Sequence, residues 1–153
     1  MSWLRTRIPP PAVALAVALG MRSLALALPR VPLNGAARLI LAGMLALAAL
    51  ILSISSVRSF RRTRTTLNPV HPGQATALVT SGVFRVSRNP MYLSLGILLC
   101  AWAVFLSSAW ALIGVAAFVI YVDRLQIIPE EQALSAMFGM EYSTYRSRVR
   151  RWL

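Results

Sequence analysis

Long apolar runs alternate with short arginine-bearing segments along this chain, a pattern that predicts helices crossing a lipid bilayer. Residues 11–28 are apolar apart from Arg22, and their length and flanking charge predict a first span. Two other readings of this stretch stay open. It is also compatible with a re-entrant segment, or with a signal peptide cleaved near Ala25-Leu26-Ala27. Residues 29–34 hold two prolines and run into Asn34-Gly35, which reads as a turn. Residues 39–57 are 19 positions without a charge and form a clear span. Residues 58–89 are polar and irregular, long for a connection in a compact domain, which marks them as functional or disordered. Within them Leu78-Val79-Thr80 followed by Ser81-Gly82 reads as an extended piece ending in a turn.

Residues 91–122 carry no charge over 32 positions. One straight helix of that length would run to about 48 Å, well beyond a hydrocarbon core of ~30 Å. Two shorter helices joined near Ser107-Ser108 fit better, and such a hairpin returns the chain to the side it left. Beyond it, Pro129 can open a new helix with Glu130 and Glu131 in its first turn, where the helix dipole favours acids. Gly139 is the expected stop of that helix.

Composition agrees with lipid as the solvent. The chain of 153 residues is 58% hydrophobic and 13% charged, with a mean hydropathy of +0.66, where soluble domains carry about 25% charged residues. All 16 basic residues are arginine, against four acids, for a net charge of +12. The arginines flank apolar runs and form no separate basic domain, which argues for anionic lipid headgroups and against nucleic acid. Cys100 is the only cysteine and His71 the only histidine, so neither an internal disulfide nor a Cys/His metal cluster is possible. With the N-terminus inside and four spans, inside segments hold thirteen arginines while Arg30 and Arg38 lie outside. That bias places the 58–89 loop and the 123–153 tail together in the cytoplasm. A signal peptide in place of the first span leaves this orientation unchanged.

Two cytoplasmic pieces therefore face each other across the hairpin. In the first, Asn89-Pro90 combines a preferred N-cap with a preferred first helical residue, so the hairpin should start there. A helix N-terminus beside Arg88 is a ready anion site, although the pair also reads as a plain cap and a headgroup anchor. In the second, Glu130 and Glu131 lie about 100° apart on a helix. They are no carboxylate dyad, and at most one faces a given ligand; the plain reading is dipole complementation. Phe84, Phe138, Tyr92, Tyr142 and Tyr145 suit either stacking on a flat ring or the interfacial belt. Arg22 reads as snorkelling or paired within the bundle, and the tail arginines 146, 148, 150 and 151 as lipid anchors.

These residues resemble a known superfamily. Gly82-x-Phe84, Arg88-Asn89-Pro90-x-Tyr92, the charge-free hairpin, Pro129-Glu130-Glu131 and Phe138-Gly139-x-Glu141-Tyr142-x-x-Tyr145 are similar to the isoprenylcysteine carboxyl methyltransferase and phospholipid methyltransferase superfamily. Thr65-Thr66-Leu67-Asn68-Pro69, Leu78-Val79-Thr80-Ser81-Gly82 and Arg150-Arg151-Trp152-Leu153 resemble its small bacterial members. The likeness spans about 90 residues, 64–153, and rests on the order and spacing of the motifs.

The resemblance implies an all-α membrane protein of about four transmembrane helices, the last two a short hairpin. Residues 1–63 would be N-terminal spans. Residues 64–153 would form the methyltransferase core, in which the cytoplasmic loop and C-terminal helix shape a cofactor pocket. It implies S-adenosylmethionine as cofactor, a lipophilic or lipid-linked acceptor, and residence in the bacterial inner membrane with the active face cytoplasmic. Carried over by position, Thr76, Leu78, Val79 and Phe84 would line the adenosine side. Asn89, Pro90, Met91 and Tyr92 would contact the cofactor from the helix start, and Glu130 would hold one of its polar groups. Arg88, Glu130 and Glu131 are the candidates for the chemistry. The chain departs from the family pattern at Asn89, often histidine in eukaryotic members. It departs again at Gln126, where a substrate-contacting arginine is replaced; Arg124 would lie on another helix face. The latter counts against a prenylcysteine carboxylate acceptor. A non-catalytic scaffold that kept the fold is the alternative. A transporter is disfavoured, because only Arg22 places a charge within a span.

Overall fold

The computed structural model describes residues 8–63 and 77–153. Thr76, His71 and the 65–69 motif lie outside the described residues. The fold is an all-α membrane architecture; among the described residues there is no β-strand, only an isolated parallel bridge between Ser87 and Arg150. Three helical stretches are long and apolar enough to cross a membrane: Pro10–Ala27, Gly35–Arg62 and Ala109–Arg148, joined by a shorter apolar helix, Pro90–Phe105.

Helix α1 (Pro10–Ala27) opens on two prolines, which preset the backbone of its first turn. Helix α2 (Gly35–Thr63) is capped by Asn34, whose Oδ1 accepts the N–H groups of Ala36 at 2.9 Å and Ala37 at 3.3 Å. The Asn34-Gly35 pair is thus a helix start as well as the end of a turn. At 1.5 Å per residue α2 is about 44 Å long, so its last turns, with Arg58, Arg61 and Arg62, project past a core of ~30 Å.

The hairpin forms where the sequence places it. Helix α3 (Pro90–Phe105) turns through Ser107, whose φ is +51°, into a 3-10 turn (Ala109–Ala111) and helix α4 (Leu112–Val122). The Ser107 carbonyl accepts the Val31 N–H at 2.8 Å, and Arg38 donates to Ser107 Oγ while lying over the Phe105 ring. The start of α2 is thereby tied to the hairpin turn.

Beyond α4 the structure differs from the expectation of a separate helix at Pro129. A wide π-helical turn (Asp123–Ile127) leads without a break into helix α5 (Ile128–Arg148). Pro129 sits at the start of α5, where its missing N–H costs little because the π turn has already shifted the hydrogen-bond pattern. Gly139 does end the regular helix as expected: its backbone leaves the helical region at φ 48° and ψ −117°, and a second helical stretch runs on from this kink to Arg148. Only glycine occupies that backbone region without strain.

Helix α3 packs along α2, and α1 lies across α3 and α4. Met21, Leu99, Phe118, Val122 and Ile127 form the centre, lined with alanines 14, 103 and 111. Between helices in lipid, hydrophobic driving force is absent and close approach of small residues does the packing. Gly114 shows this: a Cβ there would fall 2.4 Å from Met21 Cγ. The Trp102 indole donates to the Ala18 carbonyl at 3.0 Å, satisfying the ring nitrogen inside the bundle. Outward-facing positions are apolar, among them Leu15, Leu19, Ile40, Met44, Leu47, Ile51 and Ile120, as a lipid-facing surface requires. Arg22 is exposed at the rim of α1 rather than paired inside the bundle.

Candidate active site

The site forms at the end of the bundle where α2 ends, α3 begins and α5 passes. Gly82 starts a 3-10 turn (Gly82–Arg85) with φ +63°, pressed against α2 so closely that a Cβ would lie 2.6 Å from Ser59 Oγ. This turn buries Phe84, whose ring meets Phe60 of α2 edge-to-face at 5.2 Å. Tyr145 of α5 donates its hydroxyl to the Phe84 carbonyl at 2.7 Å.

Asn89 occupies the N-cap of α3 with Pro90 after it, but its side chain does not cap the helix. Its Nδ2 donates instead to the Arg151 carbonyl at 3.1 Å. Ser87 Oγ accepts the Asn89 N–H at 3.1 Å and donates to the same carbonyl at 3.4 Å, and the Arg88 N–H donates to the Arg150 carbonyl at 3.0 Å. The 87–89 loop and the 149–152 segment are therefore laced together by main-chain and short side-chain bonds.

The two adjacent glutamates face different partners, as their helical offset requires. Glu130 Oε1 accepts the Tyr92 hydroxyl at 2.5 Å. Glu131 is the centre of an ion network. Its Oε1 lies 2.9 Å from Arg88 Nη1, and Oε2 lies 2.7 Å from Arg151 Nη2. Arg151 Nε adds a bond of 3.1 Å to Glu131 Oε1, and Arg151 Nη1 meets both oxygens of Asp123 at 3.1 and 3.2 Å. Arg88 Nη1 also donates to the Tyr142 hydroxyl at 3.2 Å. The Arg88 side chain is only 9% exposed, and its Nε has no hydrogen-bond partner among the described residues.

The π turn explains how one guanidinium reaches two acids eight positions apart. On an unbroken α-helix Asp123 and Glu131 would diverge by about 80°; one residue absorbed in a wide turn cuts this to about 20° and puts both on one face.

One cleft gathers most of these groups. Its walls are Phe60 from α2, residues Ala77, Leu78, Val79 and Phe84, the loop residues Arg88 and Asn89, and Glu130, Glu131, Leu134, Tyr142 and Tyr145 from α5. Of the residues singled out from the sequence, Leu78, Val79, Phe84, Arg88, Asn89, Glu130 and Glu131 meet here. Tyr92 reaches the cleft through its bond to Glu130. Pro90 is buried beneath the start of α3 and Met91 is half-buried; neither lines the cleft. Tyr142 and Tyr145 line it, whereas Phe138 does not. Gln126 is buried away from it, donating to the Ile8 carbonyl at 3.2 Å, and Arg124 is exposed.

Sequence reasoning missed Phe60, Leu134, Asp123 and Arg151. Leu134 had a signal, standing three and four positions after the two glutamates on the same helix. Phe60 comes from a distant helix and had none. Asp123 was hidden by the π turn, which no residue pattern announced. Arg151 was read with its neighbours as a lipid anchor. Arg146, Arg148 and Arg150 are indeed exposed, but Arg151 turns inward onto two carboxylates.

A protein of Haemophilus influenzae known only as "Uncharacterized protein" is 44% identical over 63 residues, which is 41% of this chain and the whole of that one. No solved structure matches the chain. The profile of the family described as phospholipid methyltransferase matches residues 37–141, from α2 into the second half of α5 and thus across the cleft. The chain belongs to the phospholipid methyltransferase family.

Proposed function

We propose that this protein is an S-adenosylmethionine-dependent methyltransferase acting on a lipid-soluble or lipid-linked acceptor at the cytoplasmic face of a bacterial inner membrane. The observation that carries the reading is the cleft itself. A family match to methyltransferases coincides with a site that offers one unpaired guanidinium nitrogen, one half-buried carboxylate and an apolar aromatic wall.

That donor set fits the cofactor. The Arg88 guanidinium, with its buried unpaired Nε, would hold the carboxylate of the amino-acid part. Glu130, oriented by Tyr92, would hold the ammonium or a ribose hydroxyl. Leu78, Val79, Phe84 and Tyr145 would enclose the flat base. When bound, the cofactor supplies a methyl group on a sulfonium, open to in-line attack without a metal. The protein's share is then positioning and exclusion of water, which together lower a barrier substantially. Glu130 has a second use. Its carboxylate can accept the proton released when an amine acceptor is methylated.

Topology suits such an acceptor. Arginine bias assigns the cleft to the cytoplasmic face, and α1, α2, α3 and the α4–α5 rod serve as four spans, α3 being short at about 24 Å. Residues 64–153 hold the core of the chemistry, with α2 lending Phe60. The acceptor needs no fixed arginine at position 126, since Gln126 is engaged with Ile8.

Equilibrium binding of S-adenosylhomocysteine to detergent-solubilised protein tests the reading, followed by methyl transfer from radiolabelled cofactor to extracted membrane lipids. Binding by the wild type, lost or strongly weakened in Arg88→Ala and Glu130→Ala, is the expected result. Absence of wild-type binding would overturn it in favour of a scaffold. Normal binding by both variants would remove these residues from the cofactor site.

A further inference from the structure

Arg151 does not line the cleft, yet it determines what Arg88 can offer there. Two of its nitrogens grip Glu131, at 3.1 Å on Oε1 and 2.7 Å on Oε2, while the third meets both oxygens of Asp123. A guanidinium and a carboxylate left to themselves favour a two-pronged fork, with two parallel N–H···O bonds. Arg88 makes no such fork with Glu131. It reaches Oε1 through Nη1 alone, its Nη1 is shared with the Tyr142 hydroxyl, and its Nε stays buried without a partner. Arg151 already holds both oxygens of Glu131. The same segment fixes the main chain beneath Arg88, through the Arg150 carbonyl on the Arg88 N–H and the Arg151 carbonyl on Ser87 and Asn89.

We infer that Arg151 is a positioning residue: by occupying Glu131 from the far side, it prevents a two-pronged Arg88–Glu131 pair and keeps the Arg88 guanidinium available to an anionic group in the cleft. Asp123 completes the device by holding the remaining nitrogen of Arg151, which the π turn brings into reach. This inference rests on the cofactor reading above, in which that anionic group is the carboxylate of the cofactor's amino-acid part.

The test separates this role from simple support of the fold by comparing two probes. S-adenosylhomocysteine carries the carboxylate; 5′-methylthioadenosine keeps the nucleoside and lacks the amino-acid part. Binding of each is measured by calorimetry on the wild type, Arg151→Ala, Arg151→Lys, Asp123→Asn, Arg88→Ala and the Arg88→Ala/Arg151→Ala double variant. Arg151→Ala should weaken S-adenosylhomocysteine by about tenfold or more, the range for a lost charge-assisted hydrogen bond, and leave 5′-methylthioadenosine within about twofold. Asp123→Asn, isosteric and outside the cleft, should give a smaller loss with the same selectivity, and Arg151→Lys should fall between wild type and alanine. The double variant should bind no more weakly than Arg88→Ala alone, since both act through one guanidinium. Equal weakening of both probes, or additive losses in the double variant, would overturn the inference while leaving the cofactor reading intact. A wild type that binds neither probe would overturn the cofactor reading and this inference with it.

Discussion

Removing the carboxylate of Glu131 should be among the more damaging single changes at this end of the bundle. Glu131 lies between two guanidinium groups, 2.9 Å from Arg88 and 2.7 Å from Arg151, with its own side chain 10% exposed. At an effective dielectric near 20, each contact represents a gross attraction of about 6 kcal/mol. Desolvation of the buried charges offsets most of that, so the net worth of the network is far smaller. The asymmetry appears when one partner is taken away. Glu131→Ala leaves Arg88, with a side chain 9% exposed, as a buried cation without a counter-ion, a situation that costs about 3–5 kcal/mol. Glu131→Gln keeps the volume and one acceptor and should cost about 1.5–3 kcal/mol, the range for bonds to charged groups. For a chain of this size 1 kcal/mol moves the melting temperature by about 2–4 °C, so the alanine variant should melt about 10 °C lower. Unfolding in detergent, followed by the fluorescence of the chain's four tryptophans, measures this directly. The neighbouring Glu130→Ala is the control, since Glu130 makes a single hydrogen bond to Tyr92 and should cost only about 1 kcal/mol. A Glu131→Ala protein melting within about 2 °C of wild type would refute the assignment of Glu131 as the counter-ion on which Arg88 depends.

Two further outcomes follow from other positions. Gly139→Ala forces a side chain onto φ 48°, ψ −117° with open space around the new Cβ, so its cost should be purely conformational, about 1–3 kcal/mol in thermal unfolding. Gly114→Ala would set a Cβ 2.4 Å from Met21 Cγ and should destabilise by about 1–3 kcal/mol; adding Met21→Ala should recover part of the loss, and a double variant that melts lower than either single change would argue against this contact.

Much of the fold was legible because lipid imposes a simple code. Charge-free runs gave the spans, a 32-residue run too long for one crossing gave the hairpin, and Ser107-Ser108 marked its turn. Asn89-Pro90 located the start of α3, yet misled about the side chain: Asn89 faces a carbonyl from a segment some sixty residues away, and no local pattern could report that bond. The same limit applies to the site. The α5 residues followed from helical spacing, while Phe60 and Arg151 depend on which distant elements come together. Pro129 and Gly139 both look like boundaries because such residues usually interrupt helices. Gly139 is one, a break between two helical stretches, whereas at Pro129 the preceding π turn carries the helix through.

That wide turn has a consequence for how this chain can vary in length. Loops tolerate gained or lost residues because slack absorbs them. The stretch from Phe118 in the bundle core to Glu131 in the cleft has no slack, since it is helical throughout. Loss of one residue between Asp123 and Ile127 would turn the wide turn into ordinary α-helix and still leave the two acids about 20° apart, whereas loss of one residue from the α-helical turns before it would rotate everything beyond by about 100° relative to the membrane-embedded part. The spacing between the bundle core and the acidic pair is therefore an angular setting, and the wide turn is the place in it that can give up a residue.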